Sequence, residues 1–180
     1  MLLDYKECRE RFGRPYQIDK AVAEGRLMKV EAGVYSDAGR PSELAVIRFK
    51  YPKGVLAFES AYFYYDLTDS IPERYSLATP ANALAIRDKR VKQYFMPRGI
   101  YALGIAEMVR GSDVLQIYDQ ERVLVDTARM KNLMPVDLYK EVIGNFRKRI
   151  GDLDAAKIAD YVEAFPKRNM IERIIDEEVY

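Results

Sequence analysis

Histidine is absent from the 180-residue chain, which removes Ser-His-Asp and Cys-His arrangements, HExxH zinc sites and imidazole acid–base catalysis. Cysteine occurs once, as Cys8, so neither an internal disulfide nor a cysteine-cluster metal site is available, and Cys8 is expected as a small buried hydrophobe. No apolar run approaches the roughly 20 residues that span a bilayer. The opening Met1-Leu2-Leu3-Asp4 also lacks the charged-then-apolar order of a signal segment, so a cytoplasmic protein with no membrane partner is expected. The 10 Gly and 8 Pro, set against 49% hydrophobic and 32% charged residues, favour neither disorder nor a fibrous repeat. The formal net charge of +1 does not by itself announce a polyanionic partner. Any argument for nucleic acid must rest on local placement.

Nucleotide-cradling loops of the GxxxxGK[ST] and GxGxxG types are also missing. The one Asp/Glu-x-Lys run, Asp4-Tyr5-Lys6, has no preceding strand to supply the second carboxylate of a metal-dependent nuclease. Glu121 and Asp126 fall five residues apart on one expected helix, about 140° around its axis, a poor arrangement for a shared metal and a natural one for structural ion pairs. A non-enzyme without catalytic residues, metal or cofactor is the expectation, with a divergent nuclease as the weaker alternative.

What is present begins with Asp4, able to cap a helix, and Glu7 three residues later, an Asp variant of the capping box. Tyr5, Cys8 and Phe12 recur at helical spacing among charged residues. Gly13 supplies a left-handed terminus, and Pro15 suits the first position of a second helix, roughly Tyr16 to Glu24, that buries Ile18, Ala21 and Val22 and ends at Gly25. Leu27 to Glu31 alternates as a strand and Val34 to Ser36 returns as its partner around Gly33. Two short helices joined by a Gly-containing turn, followed by a hairpin, match a minimal winged helix-turn-helix over residues 1–36. Docked on duplex DNA, it would place Tyr16, Gln17 and Lys20 at base edges, Arg14 on the backbone and Lys29 of the wing on a neighbouring phosphate or the minor groove. Two other readings stay open, a structural subdomain and a protein-docking surface, because seven basic residues face six acidic ones in this stretch and a basic patch is the usual footprint of nucleic-acid binding.

Residues 37–41 have linker composition, and Ser42 with Glu43 opens a helix to about Lys50. The second domain, 42–180, is expected to hold a strand at 54–58, an aromatic-rich helix at 60–65 with Tyr62, Phe63, Tyr64 and Tyr65 in packing roles, and strands at 75–79, 91–96, 102–109 and 114–118. The last two strands are joined at Gly111-Ser112-Asp113. After Asp119 three amphipathic helical stretches follow, carried by apolar residues between Leu138 and Ile175. Strands followed by helices give an α+β fold. Basic groups at 87–98 and at Arg147-Lys148-Arg149 read as solvated faces by default, with a DNA-assisting or partner surface as the alternative.

The runs Asp4-Tyr5-Lys6-Glu7-Cys8, Phe12-Gly13, Tyr16-Gln17-Ile18, Lys20-Ala21, Glu24-Gly25-Arg26-Leu27, Lys29-Val30 and Gly33-Val34-Tyr35-Ser36 resemble the opening of AbiEi-type antitoxins, transcriptional regulators of bacterial abortive-infection toxin–antitoxin pairs. Two later stretches, from Pro52 to Pro72 and Ile117-Tyr118-Asp119 to Asp126, are similar to the carboxy-terminal domain of that family. The resemblance implies a DNA-binding antitoxin that autoregulates its operon and counters a cognate nucleotidyltransferase-like toxin, two copies occupying an inverted repeat in its own promoter. A stand-alone regulator and a protein-interaction module without DNA binding are the alternatives. Two departures stand out. The family often carries a further helix before the helix-turn-helix, and it usually has Thr where this sequence has Val123.

Overall fold

The computed structural model describes residues 1–111 and 113–180, so the expected corner at Ser112 lies outside the described residues. Among the described residues nine α-helices and two β-sheets form, and the chain divides into two compact units, Met1–Pro52 and Lys53–Tyr180. The expected α+β class is what the chain adopts.

In the first unit, strand β1 (Leu2–Asp4) leads into helix α1 (Tyr5–Phe12), helix α2 (Pro15–Ala23) and strands β2 (Met28–Glu31) and β3 (Val34–Ser36). Local chemistry sets these boundaries. Asp4 Oδ1 accepts from Glu7 N at 2.7 Å while Asp4 N donates to Glu7 Oε2 at 2.7 Å, a reciprocal cap that satisfies two donors otherwise left open at a helix start. Pro15 takes the first position of α2, where its missing N–H costs nothing. The sequence pattern missed β1, which pairs antiparallel with β3 through Leu2↔Ser36, Leu3↔Tyr35 and Asp4↔Val34. β3 is thus the central strand of a three-stranded sheet in the order β1-β3-β2. Leu3, Cys8, Ile18, Ala21, Leu27 and Tyr35 form the core, with Phe12 and Val22 packed against it. Val22 and Phe12 are only partly covered, and Tyr5, expected on the apolar face, is 42% exposed.

Helix α3 (Glu43–Lys50) is capped by Ser42, whose Oγ accepts from Ala45 N at 3.0 Å. It belongs to the first unit, where the sequence composition placed it at the start of the second domain. The ion pair of Lys50 Nζ with Glu31 Oε1 at 2.7 Å ties α3 to the β2 strand, so residues 37–41 are a loop within a unit and the division falls after Pro52.

The second unit is built on a five-stranded mixed sheet in the order β6-β5-β4-β8-β7, from β4 (Val55–Leu56), β5 (Tyr75–Pro80), β6 (Val91–Met96), β7 (Ile105–Arg110) and β8 (Asp113–Tyr118). β4 runs antiparallel to β5 and parallel to β8, β5 runs parallel to β6, and β7 and β8 form an antiparallel pair. The helices are α4 (Phe58–Tyr64), α5 (Arg98–Tyr101), α6 (Gln120–Met130), α7 (Val136–Arg149), α8 (Ala155–Ala164) and α9 (Arg168–Glu178). α6 is central: it contacts α4, α7, α8 and α9, and its residues from Arg122 to Ala128 are all buried. A helix covered on every side is normally apolar throughout, yet this one buries Arg122 and Asp126. The expected strand at 102–109 begins only at Ile105, because α5 and the turn at Gly104 precede it. Gly104 has φ +74, and a Cβ there would lie 2.7 Å from Arg122 Cβ, so only glycine lets this turn pass against α6. Tyr62 is 1% exposed, in keeping with the packing role expected of the aromatic run.

Candidate nucleic-acid interface

The five residues singled out from the sequence, Arg14, Tyr16, Gln17, Lys20 and Lys29, are all exposed and all lie in the first unit. At about 100° per residue, Tyr16 and Lys20 fall on one face of α2, opposite the buried Ile18 and Ala21. Tyr16 is 63% exposed. Lys20 Nζ stands 3.8 Å from Glu24 Oε1 across one turn, a loose surface contact worth little. Glu24 is held more tightly by Arg26, at 2.9 Å from Nε and 2.6 Å from Nη2, and that guanidinium keeps its carboxyl below the usual carboxylate range. Among the described residues neither Arg14 nor Lys29 forms an ion pair. Lys29 projects from β2 opposite Tyr35, next to a register shift between Lys29 and Glu31 that breaks the expected strict alternation.

Gln17 differs from its expected part as a reader of base edges. Its Oε1 accepts from Arg14 N at 2.7 Å, closing the amino terminus of α2 just as Glu7 closes that of α1. A bidentate contact to adenine needs both the oxygen and the nitrogen of the amide, and here the oxygen is held at the helix start by Arg14 N, with one lone pair left. The same side chain occupies the space beside Gly13, where a Cβ would sit 2.3 Å from Gln17 Oε1 and where φ is +95. The turn between the helices and the Gln17 cap are therefore one device. The signal was in the sequence, since Gln is a regular partner three residues into a helix, but the preceding Arg14 is not a usual N-cap and masked it.

Part of the charge of the second unit is spent on internal ties: Arg90 and Lys92 of the basic group at 87–98, and all of Arg147, Lys148 and Arg149. Arg90 pairs with Asp88 at 2.7 Å and Lys92 with Glu59 at 2.7 Å. Arg147 donates to the Glu178 carbonyl, Lys148 to Asn145, and Arg149 to the carbonyls of Tyr65 and Asp66. Glu121 faces Lys157 at 3.5 Å, whereas Asp126 Oδ2 accepts from Arg122 Nε at 3.1 Å and Asp126 Oδ1 from Arg129 Nη2 at 3.0 Å. The two carboxylates thus face different cations, Glu121 sharing Lys157 with Asp119, which lies closer at 2.9 Å. Among the described residues no group of three or more His, Cys, Asp or Glu is placed to hold a metal ion, and no helix is long and apolar enough to cross a membrane.

Two features define the class: a small helical unit closed by a three-stranded antiparallel sheet, and a larger unit with a mixed sheet around a buried helix. Protein-family models and curated proteins give no match to the sequence. Among solved structures the chain is similar to the RV2827C protein from Mycobacterium tuberculosis, with a TM-score of 0.69 at 14% identity, covering 99% of this chain and 72% of that one. At that identity the likeness is one of fold.

Proposed function

We propose that the first unit is a winged helix-turn-helix that binds duplex DNA, and that the chain is an AbiEi-like antitoxin that represses its own operon and counters a nucleotidyltransferase-like toxin through its second unit. The observation that carries the DNA reading is the placement of unneutralised charge. Arg14 at the start of α2 and Lys29 on the β2–β3 hairpin have no ion-pair partner among the described residues, while Tyr16 and Lys20 stand exposed on the face of α2 opposite its core. α2 enters a major groove with Tyr16 and Lys20 toward base edges, Arg14 grips the phosphate at its entry, and the hairpin brings Lys29 to the adjacent backbone. Gln17 holds the helix start, so turning its amide toward a base competes with the cap on Arg14 N. The sequence resemblance supports the antitoxin part of the reading, including the pairing of two copies on an inverted repeat.

Binding of the full chain to a labelled duplex from its own upstream region, followed by fluorescence anisotropy across a salt series, tests the proposal. Saturable binding that weakens steeply with salt is expected, and Lys20→Ala should weaken it. A second reading, a protein-docking unit, draws on the exposed side chains of Tyr5, Tyr16 and Met28 at 42%, 63% and 41%, an apolar set suited to a protein partner. DNA affinity that is absent, or indifferent to Lys20→Ala and to salt, favours it. For the antitoxin role, co-expression with an adjacent nucleotidyltransferase-like gene should relieve that gene's toxicity.

A further inference from the structure

The second unit contains a cleft of about 480 Å³, within the range of small-molecule sites, roughly 300–1,000 Å³. Its walls come from distant parts of the chain: β6 and the start of α5 on one side, the end of α6 on another, and the Phe165-Pro166-Lys167 segment before α9 on a third. The lining is mainly apolar, with Phe95, Met96, Ile100, Met130, Phe165 and Met170 among its residues. Its charged members are Arg129 and Lys167, and among the described residues no carboxylate lines it. Two lining residues hold positive φ without being glycine, Phe58 at 47° and Lys167 at 63°. Such backbone persists where the surroundings over-determine it, often around ligand sites.

The charge behind the wall is unbalanced. Arg122 and Arg129 share the single carboxylate of Asp126, so the trio carries one net positive charge, with Arg122 0% and Asp126 2% exposed. Arg122 is sandwiched between the rings of Tyr118 and Phe165 at 4.2 and 4.8 Å, and its Nη1 donates to the carbonyls of Ile100 and Leu103. Its Nη2 is buried without a hydrogen-bond partner. Arg129 reaches the cleft from the same carboxylate, its guanidinium 5.4 Å from the Phe165 ring and 6.0 Å from that of Phe58. The neighbouring Glu59, hydrogen-bonded to the lining residue Tyr94, is already matched by Lys92 at 2.7 Å and adds no net negative charge. Arg129, its side chain 30% exposed, and Lys167 thus bring two cations to an apolar cleft, a set of convergent polar groups that suits an anion with an apolar body.

We infer that this cleft binds a small amphipathic carboxylate, an aromatic or medium-length aliphatic acid whose carboxylate pairs with Arg129 and Lys167 while its body lies among the methionines and Phe165. The site stands apart from the DNA reading and holds whether or not the first unit binds nucleic acid.

Three lining methionines make the test direct. The full chain labelled with ¹³C at methionine methyls is titrated with 4-phenylbutyrate, 4-phenylbutan-1-ol and 4-phenylbutylamine, with resonances assigned by single Met→Leu replacements. The acid should give saturable shifts at Met96, Met130 and Met170 while Met1 and Met28 stay still. The alcohol should bind at least about tenfold more weakly, as expected for loss of a charge-assisted contact, and the amine more weakly again. Arg129→Gln should abolish the preference for acid over alcohol. Lys167→Gly, whose backbone suits glycine, should reduce the preference without threatening the fold and decides the matter if Arg129→Gln fails to fold. Absence of saturable shifts at the three methionines, equal binding of acid and alcohol, or a preference unchanged in the folded variants overturns the inference.

Discussion

Replacing Asp126 by Asn should be among the most damaging single changes in the second unit. Asp126 Oδ2 accepts from Arg122 Nε at 3.1 Å and Oδ1 from Arg129 Nη2 at 3.0 Å, and Arg122 is 0% exposed. The amide preserves shape but removes the only carboxylate facing that guanidinium among the described residues, leaving a buried charge that water cannot reach. Breaking a buried pair from one side costs about 3–5 kcal/mol. At roughly 3–5 °C per kcal/mol for a unit of this size, the melting temperature should fall by about 9–25 °C. Near-ultraviolet circular dichroism of tyrosine is the suitable assay, since ten of the 14 tyrosines lie between residues 53 and 180. Arg122→Met should be costly too, because it strips the donor from the carbonyls of Ile100 and Leu103. The double variant should lose less than the sum of the two by about 1 kcal/mol or more, the mark of directly coupled groups. An Asp126→Asn protein within about 1 kcal/mol of the parent, or strict additivity in the cycle, refutes the buried-charge argument.

Gly104→Ala forces a Cβ to within 2.7 Å of Arg122 Cβ at a φ of +74. It should destabilise the second unit by about 2 kcal/mol or more in urea unfolding, whereas alanine at Gly144, with nothing within 4 Å, should be neutral or stabilising. Gln17→Ala removes the cap on Arg14 N and should cost the first unit about 1 kcal/mol while changing DNA affinity less than Arg14→Ala does, read by paired unfolding and anisotropy curves. Burial raises the phenols of Tyr62 and Tyr118, and Tyr161, desolvated and donating to Asp119, is pushed up to about 12. Their folded values lie above the unfolded value of about 10, so the neutral form is favoured by folding; this contribution is fully present below pH 10 and is lost as pH rises toward the folded values. Unfolding free energy should therefore fall above about pH 10, and a flat profile from there to pH 12 contradicts it.

The features legible in the sequence were those set within a few residues. The Asp4–Glu7 box, Pro15 at a helix start, Ser42 as a cap and Asp119 before α6 each act through neighbours three or four positions away, and each stands where the pattern placed it. β1 was not legible, because three residues carry no period and their pairing depends on β3, thirty residues later. The burial of the charges on α6 was not legible for another reason. Arg122 and Asp126 at i,i+4 look the same whether the pair is solvated or buried, and only the packing of α4, α7, α8 and α9 around α6 decides which. The cleft beside Arg129 draws on residues from Phe58 to Met170 and left no local trace. Of the proposed DNA-contacting set, Arg14, Tyr16, Lys20 and Lys29 are exposed, Tyr16 and Lys20 on one face of α2, while Gln17 serves the backbone first.

The central claim, that α2 and the hairpin grip DNA through Arg14 and Lys29, is tested most directly by the salt dependence of affinity for the upstream duplex in the parent, Arg14→Ala, Lys29→Ala and the double variant. Each phosphate contact contributes about 0.9 to the slope of log K against log salt. The account predicts a slope shallower by about one in each single variant and by about two in the double, with the fold intact by circular dichroism. Identical slopes in all four proteins contradict it.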